Sequence, residues 1–265
     1  MGINACILNW FESLAEIGAF NGQSSVLEVG PQDFHFPPET LFELASRRLG
    51  RKEGWNCVQS IQDPSVPHEK RQELFYSIFG FATYRSVDIH DQRASFGLDL
   101  NTATSAPSKF DVIIDCGTNE HIFNAANVFV FTHNSLNVGG VSLKILPTLG
   151  DNTHGFYNVH PTVYFDVARE NGYEILDFRY VDNMISRPAP RGAASLLSQD
   201  ELAHASPSFL GLYEHLSRNF LATLRAADQE RRLSWLHGSV DYCFAAMRKN
   251  YDTPFRYPGQ GIYLT

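Results

Sequence analysis

Apolar residues follow two rhythms along this chain. In "ACILNWFESLAEIGA", residues 5–19, Ile7, Leu8, Phe11, Leu14, Ile17 and Gly18 fall at helical spacing and predict an amphipathic helix. "SSVLEVG" is short and apolar around one acid, Glu28, and predicts a buried strand running out at Gly30. "FHFPPETLFELASRRLG" predicts a helix opened by Pro38 and closed by Gly50. A polar stretch through Pro67 then leads to a second helical segment near 68–79, a long insertion before the next strand. "ATYRSVDIHD" predicts that strand, ending at Asp88, and "SFGLDLNT" a further short edge with Asp99 near its end.

The clearest strand is "FDVIIDCG", 110–117, whose unbroken apolar centre suits a parallel strand covered on both faces. A helix over "NEHIFNAANVFVFTHNSLNVGG", ending in Gly139 and Gly140, and a strand over "GVSLKILP" are expected next. "TLGDNTHGFYNVH" has neither period and mixes polar with aromatic residues, as a loop over a site does. "PTVYFDVARENGYEILDFRYVD" predicts a Pro-started helix stopped at Gly172, then a strand. Beyond it, "RPAPRGAAS" reads as a mobile connection and "RNFLATLRA", 218–226, as the last strand. "DQERRLSWLHGSVDYCFAAMRKNY" is expected as a terminal helix. Alternating strand and helix predicts an α/β fold with a parallel sheet and right-handed connections, and 265 residues suit one such domain.

Composition narrows the function. With 21 basic and 29 acidic residues the formal charge is −8, which repels a phosphate backbone and argues against DNA or RNA as partners. Cys6, Cys57, Cys116 and Cys243 are scattered without a CxxC pair, so neither a zinc knuckle nor a disulfide framework is expected, and a reducing, cytoplasmic setting fits. There is no membrane-spanning run, and no membrane partner is expected. "MGINAC" has Cys6 where a myristoylation signal prefers Ser or Thr.

In an open parallel sheet, ligands collect beyond the carboxyl ends of the strands. The residues expected there are Glu28 to Phe34, Asp88, Asp99, Asp115 to His121 and Pro147 to His160. Asp88, ending the second strand, suits the two hydroxyls of a ribose; a turn aspartate is the plainer alternative. A pyrophosphate needs backbone N–H groups from a glycine-rich turn, yet Gly30 is followed by Pro31, which has no N–H, then Gln32 and the anion Asp33. That loop tolerates an uncharged or cationic ligand better than a phosphate.

On these segments the sequence resembles the class I S-adenosylmethionine-dependent methyltransferases, in particular bacterial small-molecule and capsule-type members. The resemblance rests on "VLEVGPQ", "YRSVDIHD", "FDVIIDCGTNEHIFN", "LNVGGVSLKILP" and "HGFYNVHPTVYFDVARENGYEI", in the family's order, over roughly residues 23–182. It implies a Rossmann-like three-layer fold with a mostly parallel seven-stranded sheet and helices on both faces, and S-adenosylmethionine as cofactor. It also implies cofactor contacts from Glu28, Gly30 and Pro31 beside the methionine part, Asp88 and Ile89 at the ribose, Asp99 and Leu100 near the adenine, and Asp115, Cys116 and Gly117 after the fourth strand. The chain then divides into an N-terminal helix (1–22), a cofactor-binding core (23–147), an acceptor-side lid with the last strands (148–226) and a C-terminal helical extension (227–265). The loop departs from the family in its missing glycines, so Gln32 and Phe34 must point away or narrow the pocket.

Methyl transfer is an in-line displacement, and a base is needed only if the acceptor must lose a proton. His154 and His160 in the lid and His121 at a helix start are the candidates, with Tyr157 as a positioning group; each has a plainer reading as a backbone-bonded or packing residue. No HxH or HExxH spacing occurs, so no catalytic metal is expected. The acceptor is expected to be a small molecule or sugar methylated on oxygen or nitrogen. Two other readings stay open: a ligand-binding pseudoenzyme on the same fold, and a nicotinamide-dependent oxidoreductase. Aromatic residues in 227–265 offer either a pocket cover or a homodimer contact.

Overall fold

A computed structural model describes residues 2–150, 154–181 and 240–261. The connection predicted at "RPAPRGAAS" and the strand predicted over 218–226 lie outside the described residues. A short strand β1 (Ile3–Asn4) leads into helix α1 (Ala5–Glu16), whose first turn is capped by the Asn4 side chain accepting from the N–H groups of Cys6 and Ile7. Strand β2 (Ser25–Val29) follows, then β3 (Phe34–His35), which pairs with β1.

Three helices come next: α2 (Pro38–Leu49), α3 (Arg51–Gln62) and α4 (His68–Ser77). The middle one falls where a polar stretch was expected. Its buried residues Gly54, Cys57, Val58 and Ile61 keep helical spacing, and Gly54 lets α3 approach α2 so closely that a Cβ there would lie 2.8 Å from the Ser46 nitrogen. After β4 (Thr83–Val87), the expected edge strand around Phe96 is reduced to a single bridge between Val87 and Phe96.

Strand β5 (Phe110–Cys116), a 3-10 turn at Asn119–His121, α5 (Ala125–Ser135) and β6 (Leu136–Gly150) complete the central unit. The helix stops at Ser135, not at Gly139 and Gly140, and both glycines belong to β6. The register of β6 against β5 shifts between Phe110 and Val112, and a Cβ on Gly140 would lie 2.7 Å from the Asp111 carbonyl. Helix α6 (Thr162–Asn171) ends at Gly172 in the left-handed region, followed by β7 (Tyr173–Val181). The segment expected as a terminal helical extension instead contributes β8 (Val240–Lys249).

The main sheet among the described residues has six strands, one fewer than the seven expected, in the order β4-β2-β5-β6-β8-β7. The first four are parallel; β8 runs antiparallel to both neighbours. Side chains alternate across the strands. Val26, Val112, Ile114, Val141, Leu143 and Phe244 face the layer of α1 to α4. Leu27, Ile113 and Val29 face Val128 and Phe131 of α5, and Leu146, Phe178 and Ala245 face Tyr164 and Phe165 of α6. The molecule is therefore an α/β, Rossmann-like three-layer fold with a mostly parallel sheet. No helix of the described residues is long and apolar enough to cross a membrane.

Candidate functional site

Strand order reverses between β2, which leads outward to β4, and β5, which starts the other half of the sheet. The crevice beyond their carboxyl ends is where such sheets hold ligands. Gly30 stands there with φ +78°, and its N–H donates to the Val87 carbonyl at 2.8 Å. Across the crevice the Thr118 hydroxyl donates to the Val29 carbonyl at 2.7 Å, and a Cβ on Gly30 would lie 2.4 Å from that hydroxyl. Glycine is thus required by both backbone angle and space.

Glu28 is fully buried. Its carboxylate accepts from the Tyr76 hydroxyl at 2.5 Å, the Tyr84 hydroxyl at 2.7 Å and the Gln32 backbone N–H at 3.1 Å. Burial pushes its carboxyl up to about 7, against the pull of those hydrogen bonds. The acid expected beside a ligand therefore anchors the loop to α4 and β4. Gln32 turns inward, its amide donating to the Gly30 carbonyl, and Phe34 packs on Phe75 with ring centroids 4.7 Å apart. Pro31 is buried.

Asp88 uses one oxygen to accept from the N–H groups of His90 at 2.7 Å and Asp91 at 2.9 Å. Ile89 beside it is 49% exposed. Asp99 accepts from the Asn101 N–H at 2.8 Å, and hydrogen bonds from Asn101 hold its carboxyl below the usual range. Leu100 is buried in the core beside α5, and its carbonyl accepts from the Asn127 amide. Cys116 faces the α1–α4 layer, fully buried, with its thiol pushed up by that burial. Gly117 has φ +75°.

Asp115 is held by a residue that the sequence reading missed. Lys144 of β6 donates to it at 3.0 Å, with both side chains buried, and the remaining carboxylate oxygen accepts from the N–H groups of Thr118 and Asn119. Lys144 also donates to the Thr132 hydroxyl and sits over the Phe129 ring. A lysine inside the apolar run "VSLKIL" was the available signal, since a buried ammonium requires an acid partner.

Two of the three candidate histidines meet. His121, at the end of the turn after β5, and His154, in the loop after β6, bring their Nε2 atoms to 3.0 Å, and the rings stand edge to face. Glu120, fully buried, places a carboxylate oxygen 3.9 Å from His154 Nε2. Main chain fixes this meeting: the Phe156 N–H donates to the Glu120 carbonyl at 2.7 Å, and Gly155, at φ +70°, lies against the Glu120 side chain. Tyr157 donates its hydroxyl to the Phe123 carbonyl at 2.8 Å and staples the same two loops. His160 is apart from the pair. Its Nδ1 bonds to the Thr162 hydroxyl at the start of α6, burial lowers its pKa, and it lines a cavity of ≈ 320 Å³ with Asp166 and Pro258.

No protein-family pattern and no curated protein sequence matches the chain. Among solved structures it is similar to TehB from Haemophilus influenzae, at 10% identity over 90% of this chain and 62% of that one, with a TM-score of 0.46. It is also similar to a protein of Bacillus halodurans C-125 described as a candidate methyltransferase, at 9% identity over 91% and 99% of the two chains, TM-score 0.45. A third is the O-methyltransferase of a polyketide synthase multienzyme from Brevibacillus brevis in complex with S-adenosyl-L-homocysteine, at 14% identity over 91% and 75%, TM-score 0.40. The chain spans less than two thirds of TehB. At these identities and scores, the likenesses assign no activity to it.

Proposed function

We propose that this protein is an S-adenosylmethionine-dependent methyltransferase that acts on an oxygen or nitrogen of a small molecule or sugar. The observation that carries the reading is the switch-point crevice, which offers a carboxylate at the end of β4 and no phosphate cradle. Asp88 has an oxygen with no hydrogen bond among the described residues, as ribose recognition requires, while Pro31 withholds an N–H and the charge of Asp33 is met by Arg93 at 2.7 Å. A nucleoside without phosphates satisfies both. The sheet also departs from the dinucleotide-binding order, because an antiparallel strand follows β6 where a parallel one would stand.

Bound S-adenosylmethionine would supply an electrophilic methyl group on a sulfonium. His154, with His121 and Glu120 beside it, would take up the proton of a hydroxyl acceptor as its oxygen bonds to that methyl, or that of an ammonium acceptor before its nitrogen attacks, and S-adenosylhomocysteine leaves. Calorimetry with S-adenosylmethionine, S-adenosylhomocysteine and NAD tests the cofactor. Binding of the first two and not the third is expected, weakened about tenfold or more in Asp88→Ala; no binding of either at millimolar concentration ends the reading. His154→Ala is expected to lower turnover by about 10² or more with cofactor affinity retained.

Binding without transfer is the second reading, and one observation favours it. The space opened by Gly30 is filled by Thr118 instead of being left for a ligand. Cofactor binding with no product from any pool of small-molecule acceptors would support it.

A further inference from the structure

We infer that Glu120, His121 and His154 form a site for one divalent transition-metal ion, with zinc as the best fit. One donor atom from each residue lies within 4.8 Å of the others. Two imidazole nitrogens and a carboxylate are a recurrent zinc set that leaves a fourth position open. Zinc–nitrogen bonds of about 2.0 to 2.1 Å around a tetrahedral ion separate two nitrogens by roughly 3.3 Å. The two Nε2 atoms stand at 3.0 Å, so small ring movements admit an ion between them.

The donors come from two loops that the main chain locks together, and this pre-organises the set. Phe156 N–H to Glu120 carbonyl is one lock. Gly155 is the other: a Cβ there would lie 2.9 Å from Glu120 Cγ, and its left-handed φ disfavours any other residue. Phe123 and Phe156, each two residues beyond one of the histidines, are 73% and 65% exposed and packed edge to face at 5.9 Å. The four cysteines are buried and offer no competing exposed thiolate. The inference rests on the geometry of the trio alone, and an ion held by His154 Nε2 would occupy the atom that the proposed function gives to proton uptake, so the metal-loaded protein would lack that base.

The test is metal titration of tag-free protein freed of metal with a chelator that is then removed. Calorimetry with zinc chloride is expected to give one saturable site, and cobalt(II) to develop the visible absorption of a four-coordinate ion. His154→Gln and His121→Gln, both on solvent-facing side chains, are each expected to weaken zinc binding about 100-fold and abolish the cobalt band. Gly155→Ala keeps all three donors but misplaces one loop, and is expected to weaken binding as well. Absence of a saturable site in the wild-type protein overturns the inference. So does affinity undiminished in the double variant His121→Gln/His154→Gln. Neither result bears on S-adenosylmethionine binding, which calorimetry reads separately.

Discussion

Gly30 and Glu28 show how much of the crevice rests on single residues. Gly30→Ala forces a methyl group against the Thr118 hydroxyl at a positive φ. A loss of about 2 to 3 kcal/mol in urea unfolding is expected. Adding Thr118→Ala should return the part due to the clash and leave the part due to backbone strain, which a double-mutant cycle separates. Glu28 makes stability depend on pH. Its folded pKa, about 7, lies above the ordinary value of 4.5, so the fold favours the protonated form. Its contribution is fully present below about pH 4.5 and is lost as pH rises to 7. Unfolding of the wild type and of Glu28→Gln compared at pH 5 and pH 8 should show the wild type losing on the order of 2 kcal/mol relative to the variant over that window. A difference that does not change with pH would mean that the three donors hold Glu28 ionised throughout.

At the scale of elements, β5 and β6 are joined by a buried ion pair as well as by their hydrogen-bond ladder. Lys144→Met leaves Asp115 charged without its cation and is expected to cost about 3 to 5 kcal/mol; Lys144→Met with Asp115→Asn should recover much of this. Chemical denaturation of the three proteins checks both. The same two strands explain what could be read in advance. "FDVIIDCG" was legible because its centre, Val112 to Ile114, is an unbroken apolar run, and β2 was legible from Val26, Leu27 and Val29 despite the acid Glu28 among them. The exposed Trp55 and the many polar residues of α3 obscured its buried face. The role of Asp115 was hidden because its partner lies on the next strand, in a register that sequence spacing does not encode. His121 and His154 could be singled out as candidates, but their meeting could not be foreseen. It depends on how two loops fold over each other, and the Glu120 between them carried no motif.

Across the whole molecule, the sheet joins early and late segments. The indole of Trp10 in α1 donates to Asp177 of β7 at 2.6 Å, which ties the first helix to the far edge. Trp10→Phe removes one of the two donors to that oxygen and leaves Arg179 Nε at 2.7 Å, so a cost of about 1 kcal/mol is expected, measurable by thermal or urea unfolding. The position of β8 escaped the sequence reading because Tyr242–Met247 is an apolar run that suits a buried helix or a strand equally, and its charged flank favoured the helix. Its place between β6 and β7 also bears on the order of assembly. Among the described residues, strand β7 enters the sheet through β8, although the chain must be made through residue 249 before β8 exists. Until β8 emerges from the ribosome, β6 and β7 lack the partner strand that each has among the described residues, the condition under which exposed edges recruit one another. A chain stopped at residue 239 is therefore expected to partition into aggregates, and the time spent waiting for the last strand sets how much chaperone protection the nascent protein needs.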